Sequence, residues 1–213
     1  MTAKEEILGK VRKSLGRTEG QAIAAPPPVR IRIPELPREK RVALFQQRLE
    51  VLGGKVYEAA TLADARRLTE QILAGATAIT TKADILKQAG IHGIANVQPP
   101  PDDDAAFRQA CATCAFGITS ADYGLAETGS VVTRSASEAR LASLLPPAHI
   151  AILPMSRLLS GLDELFTLVP RPPATSASTV FITGPSRSAD IEMILVRGVH
   201  GPKVIHVIVV AEA

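Results

Sequence analysis

The sequence has no tryptophan, and its 213 residues include only two cysteines, five phenylalanines and two tyrosines. So few aromatic rings argue against the stacking platforms that hold single-stranded nucleic acid. Two cysteines cannot build a disulfide framework, which agrees with a reducing compartment. A membrane-spanning helix needs about 18 consecutive apolar residues. The densest apolar stretch, Val204 to Ala211, is strand-sized and interrupted by His206. The opening MTAKEEILGKVRK lacks the roughly 7–15-residue apolar segment of a secretory signal. These absences predict a cytoplasmic protein with no membrane span.

Hydrophobic residues make up 46% of the chain, enough for a buried core, and charged residues 21%, too ordinary for a disordered chain. The net charge of +3 is unevenly spread. Residues 1–50 carry 11 Lys/Arg against 6 Asp/Glu, and residues 51–213 carry 13 against 15. The basic excess therefore lies in the amino-terminal quarter. A nucleic-acid-binding domain would carry it on the folded body, so no nucleic-acid partner is expected.

Thr2 and Glu5 have capping-box spacing, and Ile7, Leu8, Val11 and Leu15 share one helical stripe. This predicts an amphipathic helix over residues 1–17, docked by its leucine side or free to bind a partner. Residues 18–37 hold Pro26, Pro27, Pro28, Pro34 and Pro37, which predicts an extended linker. Residues 38–213 form the main domain, in which helical and strand patterns alternate. Helices are expected near 38–52, 61–74, 83–89, 105–114, 156–168 and 188–197. Strands are expected near 55–58, 77–80, 94–97, 115–119, 130–133, 149–153, 179–183 and 204–210. Such alternation predicts an α/β fold, three-layered αβα, with a largely parallel sheet.

Ligands of open parallel sheets tend to bind beyond the carboxyl ends of the strands, and three polar loops are assigned there. The first runs from Thr119 through Asp122, Glu127, Thr128 and Gly129 to Ser130. Its Glu127 suits a nucleophile, a general base or a ligand-orienting acceptor, and equally a turn acid. The second runs from Thr183 through Gly184, Ser186, Arg187 and Ser188 to Asp190. A glycine loop opening a helix suits an anion, with Arg187 as a two-pronged donor. It has neither Walker nor GxGxxG spacing. The third is Gly198-Val-His200-Gly-Pro, where His200 suits an acid, a base or a surface turn. His206, inside an apolar strand, reads as a hydrogen-bonded core residue. Cys111-Ala-Thr-Cys114 is a single CxxC. Zinc or an iron–sulfur cluster takes about four ligands, so no metal is expected on this chain.

Taken in order, these loops resemble a known family. Gly117-Ile-Thr-Ser-Ala-Asp-Tyr-Gly-Leu-Ala-Glu-Thr-Gly-Ser, Leu145-Pro-Pro-Ala-His-Ile, Gly184-Pro-Ser-Arg-Ser-Ala-Asp-Ile-Glu and Gly198-Val-His-Gly-Pro are similar to the LUD domain of the lactate utilization protein C family. Ser130 and Ser188 stand where that pattern has Thr, and both keep a hydroxyl. The resemblance implies a fold like ribose-5-phosphate isomerase and CoA transferases. It also implies a role in oxidising L-lactate to pyruvate beside partner proteins that carry the iron–sulfur clusters. Glu127 and His200 would then be the catalytic candidates. A small carboxylic acid or anion would meet Thr119, Asp122, Thr128, Gly129, Gly184, Ser186, Arg187 and Asp190. Two other readings stand beside this one. One is a stand-alone transferase or isomerase on a CoA thioester or sugar phosphate, which rests on fold analogy. The other is a scaffolding protein that uses the basic helix.

Overall fold

The computed structural model describes residues 2–18, 20–22, 36–135, 138–170, 176, 178–189 and 195–212. The chain divides into two compact units between Arg32 and Ile33. The first unit carries α1 (Ala3–Ser14). Thr2 and Glu5 form the full capping box, each side chain meeting the other's backbone N–H. Within its own unit this helix buries no side chain. Most of the linker's prolines lie outside the described residues.

The second unit is built on a six-stranded, wholly parallel sheet. Its strands are β1 (Lys55–Ala59), β2 (Ala78–Thr80), β3 (Val97–Gln98), β4 (Phe116–Ser120), β7 (Ala148–Pro154) and β12 (Val204–Val210), in spatial order β1-β12-β7-β4-β2-β3. The apolar VIHVIVV segment occupies the interior as expected, with parallel strands on both sides. Helices cover both faces. On one, α3 (Leu62–Leu73) and α4 (Asp84–Gln88) seal Ile118, Ile150, Ile152 and Ile208. On the other, α2 (Arg38–Val51) sets Val42, Phe45 and Leu49 against Ala151, Val207 and Val209. Beside α2, α5 (Asp104–Thr113) and α6 (Glu138–Leu144) pack over Ile79.

A second, four-stranded sheet lies on the α2 side. Its strands are β5 (Tyr123–Leu125), β6 (Ser130–Ser135), β8 (Leu158–Leu159) and β9 (Ser178–Ile182), in order β8-β5-β6-β9. Val131 of β6 and Leu158 of β8 face Ala151 and Leu153 of the central sheet. Arg41 of α2 ties this sheet down, donating to the Leu158 carbonyl at 2.9 Å and to Glu164 at 3.2 Å.

Four expectations are corrected. The helix expected over 188–197 is not present at either described end. There β10 (Arg187–Ala189) and β11 (Leu195–Arg197) pair antiparallel, because a partner strand outweighs local helical spacing. The helix expected over 156–168 is broken. Residues 155–157 form a 3-10 turn, Leu158 and Leu159 join β5, and α7 (Leu162–Leu168) starts only after Gly161. The strand expected at 94–97 is shifted to β3, since the preceding residues coil into a second 3-10 turn. The stretch from 119 to 130 is not one loop, because β5 runs through it.

Candidate functional site

Because β5 divides the first loop, its two carboxylates are held apart. The three residues of β5 alone span roughly 10 Å. Asp122 stays near the carboxyl end of β4, where its carboxylate accepts the Arg134 backbone N–H at 2.6 Å. Burial raises the Asp122 pKa above the usual carboxylate range, against the pull of that N–H and of the Arg134 and Arg157 charges. Thr119 is fully buried, and its hydroxyl meets His149 Nε2 at 2.9 Å. Neither residue forms a pair with Glu127.

Glu127 sits at the other end of the second sheet. Its backbone N–H donates to the Ser160 carbonyl at 3.0 Å. Its half-buried carboxylate makes no hydrogen bond or ion pair among the described residues. Gly129, two residues on, has φ +68°, and a Cβ there would sit 2.6 Å from the Leu49 backbone nitrogen. Only glycine lets this turn press onto the last turns of α2. Next to it, three hydroxyls form a chain. Thr128 meets Ser130 at 2.7 Å, and Ser130 meets Thr183 at 2.8 Å. Gly184 follows beside Leu52, so the first and second loops converge where α2 leads into β1.

The second and third loops join through Ser186. Its N–H donates to the Pro202 carbonyl at 2.9 Å, and its carbonyl accepts from Gly198 at 3.0 Å. Its hydroxyl accepts the His200 backbone N–H at 3.3 Å. Lys203 in turn donates its backbone N–H to the Pro147 carbonyl at 2.8 Å. His200 therefore lies at the amino edge of the central sheet, before β12 begins, and not at the carboxyl edge where its loop was assigned. A cleft of about 470 Å³ opens here between the end of α6 and the Gly198–Lys203 loop.

Thr128, Gly129, Gly184, Ser186, Arg187 and His200 thus belong to one amino-edge corner, which Glu127 adjoins through Thr128, whereas Thr119 and Asp122 lie away from it. Asp190 lies outside the described residues. Arg187, Arg197 and Lys203 are exposed, and their side chains have no carboxylate partner among the described residues. Among the described residues these three cations outnumber the one carboxylate beside the corner, Glu127, a balance that suits an anion.

Sequence reasoning missed Lys203, and it missed the buried cluster of His149 and Thr133. His149 Nδ1 and Thr133 Oγ1 are buried without a hydrogen-bond partner. Strand alternation turns both side chains into the layer between the two sheets, on the sides of Ala151 and Val131. Burial, with a smaller push from His206, lowers the His149 pKa to about 4. His206 is a core residue as expected, 8% exposed, with the Tyr57 hydroxyl 3.1 Å from its Nδ1. Cys111 and Cys114 pack in the α5–α6 core, and burial pushes the Cys111 thiol up to about 11. No group of three or more His, Cys, Asp and Glu is placed to hold a metal among the described residues.

The LUD domain family profile matches residues 42–210. Lactate utilization protein C from Halalkalibacterium halodurans is 47% identical over 92 residues, which cover 41% of this chain and 40% of that protein. Its namesake in Bacillus licheniformis is 34% identical over 143 residues, 60% of each chain. The matched region thus spans about two fifths to three fifths of these relatives. A DUF162 family protein of known structure from Deinococcus radiodurans shares the fold. The TM-score is 0.61 at 18% identity, covering 83% of this chain and 99% of that one. With the LUD profile spanning most of both sheets and the whole amino-edge corner, the chain belongs to the LUD domain family.

Proposed function

We infer that this chain is a component of an iron–sulfur-dependent system that oxidises L-lactate to pyruvate in the cytoplasm. In this reading the chain carries no cluster. The amino-edge corner receives a small carboxylic acid, and the clusters sit on partner proteins. Oxidation of lactate to pyruvate releases two electrons and two protons, and the electrons are assigned to those partner clusters. The observation that carries the reading is the corner itself. Ser186 locks two loops together, and Arg187 and Lys203 face solvent with no carboxylate partner among the described residues. Such a surface favours a carboxylate ligand. His200 and Glu127 are the groups available there for proton transfer. Membership of a family whose relatives are named for lactate utilization supports the same reading. The two thiols are poor cluster ligands as they stand, since burial opposes the thiolate that binds metal.

Deleting the gene and restoring it with wild type, His200→Ala or Glu127→Gln tests this. Loss of growth on L-lactate, rescued by wild type and not by the variants, is expected. Unchanged growth after deletion, with no cluster-bearing protein recovered on purification, would reject the reading. A scaffolding role is favoured by one separate observation, the apolar stripe that α1 leaves unburied within its unit. Removing residues 1–37 would then abolish partner association while the remaining domain stays folded.

A further inference from the structure

The amino-edge cleft has a chemistry that a three-carbon acid does not fill. Leu144, Leu145 and Val199, 37%, 43% and 54% exposed, all line the cleft. Single exposed leucines are ordinary, but three large apolar side chains around one concavity are not. Lys203 and His200 line the same cleft. Gly198 has no Cβ, and the Lys203 stem lies in the space that a Cβ would take. This contact fixes where the chain carrying the ammonium leaves the backbone. Backbone hydrogen bonds from Lys203 to Pro147 and from Ser186 to Pro202 hold the loop that lines the cleft. Among the described residues no carboxylate lines the cleft. A volume of about 470 Å³ lies within the range of sites that take drug-sized ligands.

We propose that this cleft binds an organic anion with an extended apolar body. The anionic head rests on Lys203 and His200, and the body lies along Leu144, Leu145 and Val199. This inference shares Lys203 and His200 with the lactate reading but needs only the cleft. Growth on lactate tests one, and binding by the purified chain tests the other.

The test uses decanoate as probe, with acetate and 1-decanol as its two halves, in titration calorimetry of the full chain. Decanoate is expected to bind one saturable site, at least tenfold tighter than either half. Lys203→Glu is expected to weaken it at least tenfold and to leave thermal unfolding unchanged, because Lys203 is exposed. His200→Ala, also at an exposed position, provides a second variant with a smaller loss. The proposal is overturned if decanoate does not saturate, if decanol binds as tightly, or if both folded variants bind like wild type. It is also overturned if no small anion binds while Lys203→Glu breaks association with a cluster-bearing partner. The cleft would then hold an acidic segment of that protein.

Discussion

Acid should unfold this protein partly through His149. The side chain is fully buried between the two sheets, and among the described residues its only hydrogen bond is to the Thr119 hydroxyl. In the unfolded chain His149 takes a proton below about pH 6.5, whereas in the folded chain burial refuses it until about pH 4. Between those values the unfolded state binds more protons, so stability falls as pH falls and is unaffected by His149 above pH 6.5. At about 1.4 kcal/mol per pH unit, the loss reaches about 3 kcal/mol by pH 4. Against a typical total of about 5–15 kcal/mol, that is a large share. Asp122 acts in the opposite direction, because its raised pKa favours the folded state as pH falls. The clean measurement is therefore a difference. Urea unfolding of wild type and His149→Gln would be followed at pH 7, 5.5 and 4.5. Glutamine can keep the Thr119 bond and does not titrate. The variant should be weaker by roughly 1–2 kcal/mol at pH 7 and should recover about 2–3 kcal/mol relative to wild type by pH 4.5. Parallel stability curves for the two proteins would refute the reasoning.

Other substitutions follow from packing and thiol chemistry. Gly117→Ala would drive a Cβ into the Ala142 carbonyl oxygen, so the variant should lose several kcal/mol or fail to fold, read by circular dichroism. Ser130→Ala removes the central hydroxyl linking Thr128 and Thr183, and should cost about 1 kcal/mol in thermal unfolding without changing the fold. Cys111 and Cys114 should react with a thiol reagent at pH 8 only at the rate of unfolding, since both are buried and protonated. Rapid labelling of the native protein would refute that packing.

The parallel core was legible because its signals are local. The capping box at Thr2 and Glu5, the helical spacing over 61–74 and the apolar run of β12 are written in neighbouring residues, and α1, α3 and β12 formed there; the structure adds a capping box at Thr61 and a cap at Asp103. The second sheet was harder to see. Its strand β5 has three residues and gains its hydrogen bonds from residues 130–132 and 158–159. The leucines at 158, 159, 162 and 165 repeat at helical spacing, yet the first two pair as a strand. Periodicity cannot distinguish these outcomes when the partner is distant in sequence. The corner was half legible. Its polar loops were found from residue type, but the junction at Ser186 depends on contacts with Pro202 and His200 that no local pattern encodes. Asp122 and Glu127, close in sequence, are sent to opposite ends of a strand.

The position of β12 has a consequence for synthesis. Its pairing with β1 joins residues about 150 positions apart, Lys55 to His206. At roughly 5–20 residues per second, a ribosome needs on the order of 10–30 s to make the intervening chain. Through that interval β1 has no partner strand, and in its last third, once residues 148–154 are made, β7 has an open edge where β12 will insert. Nascent chains of this protein therefore expose an apolar gap in the middle of the sheet, and that gap is where a holding chaperone would bind and where aggregation would begin.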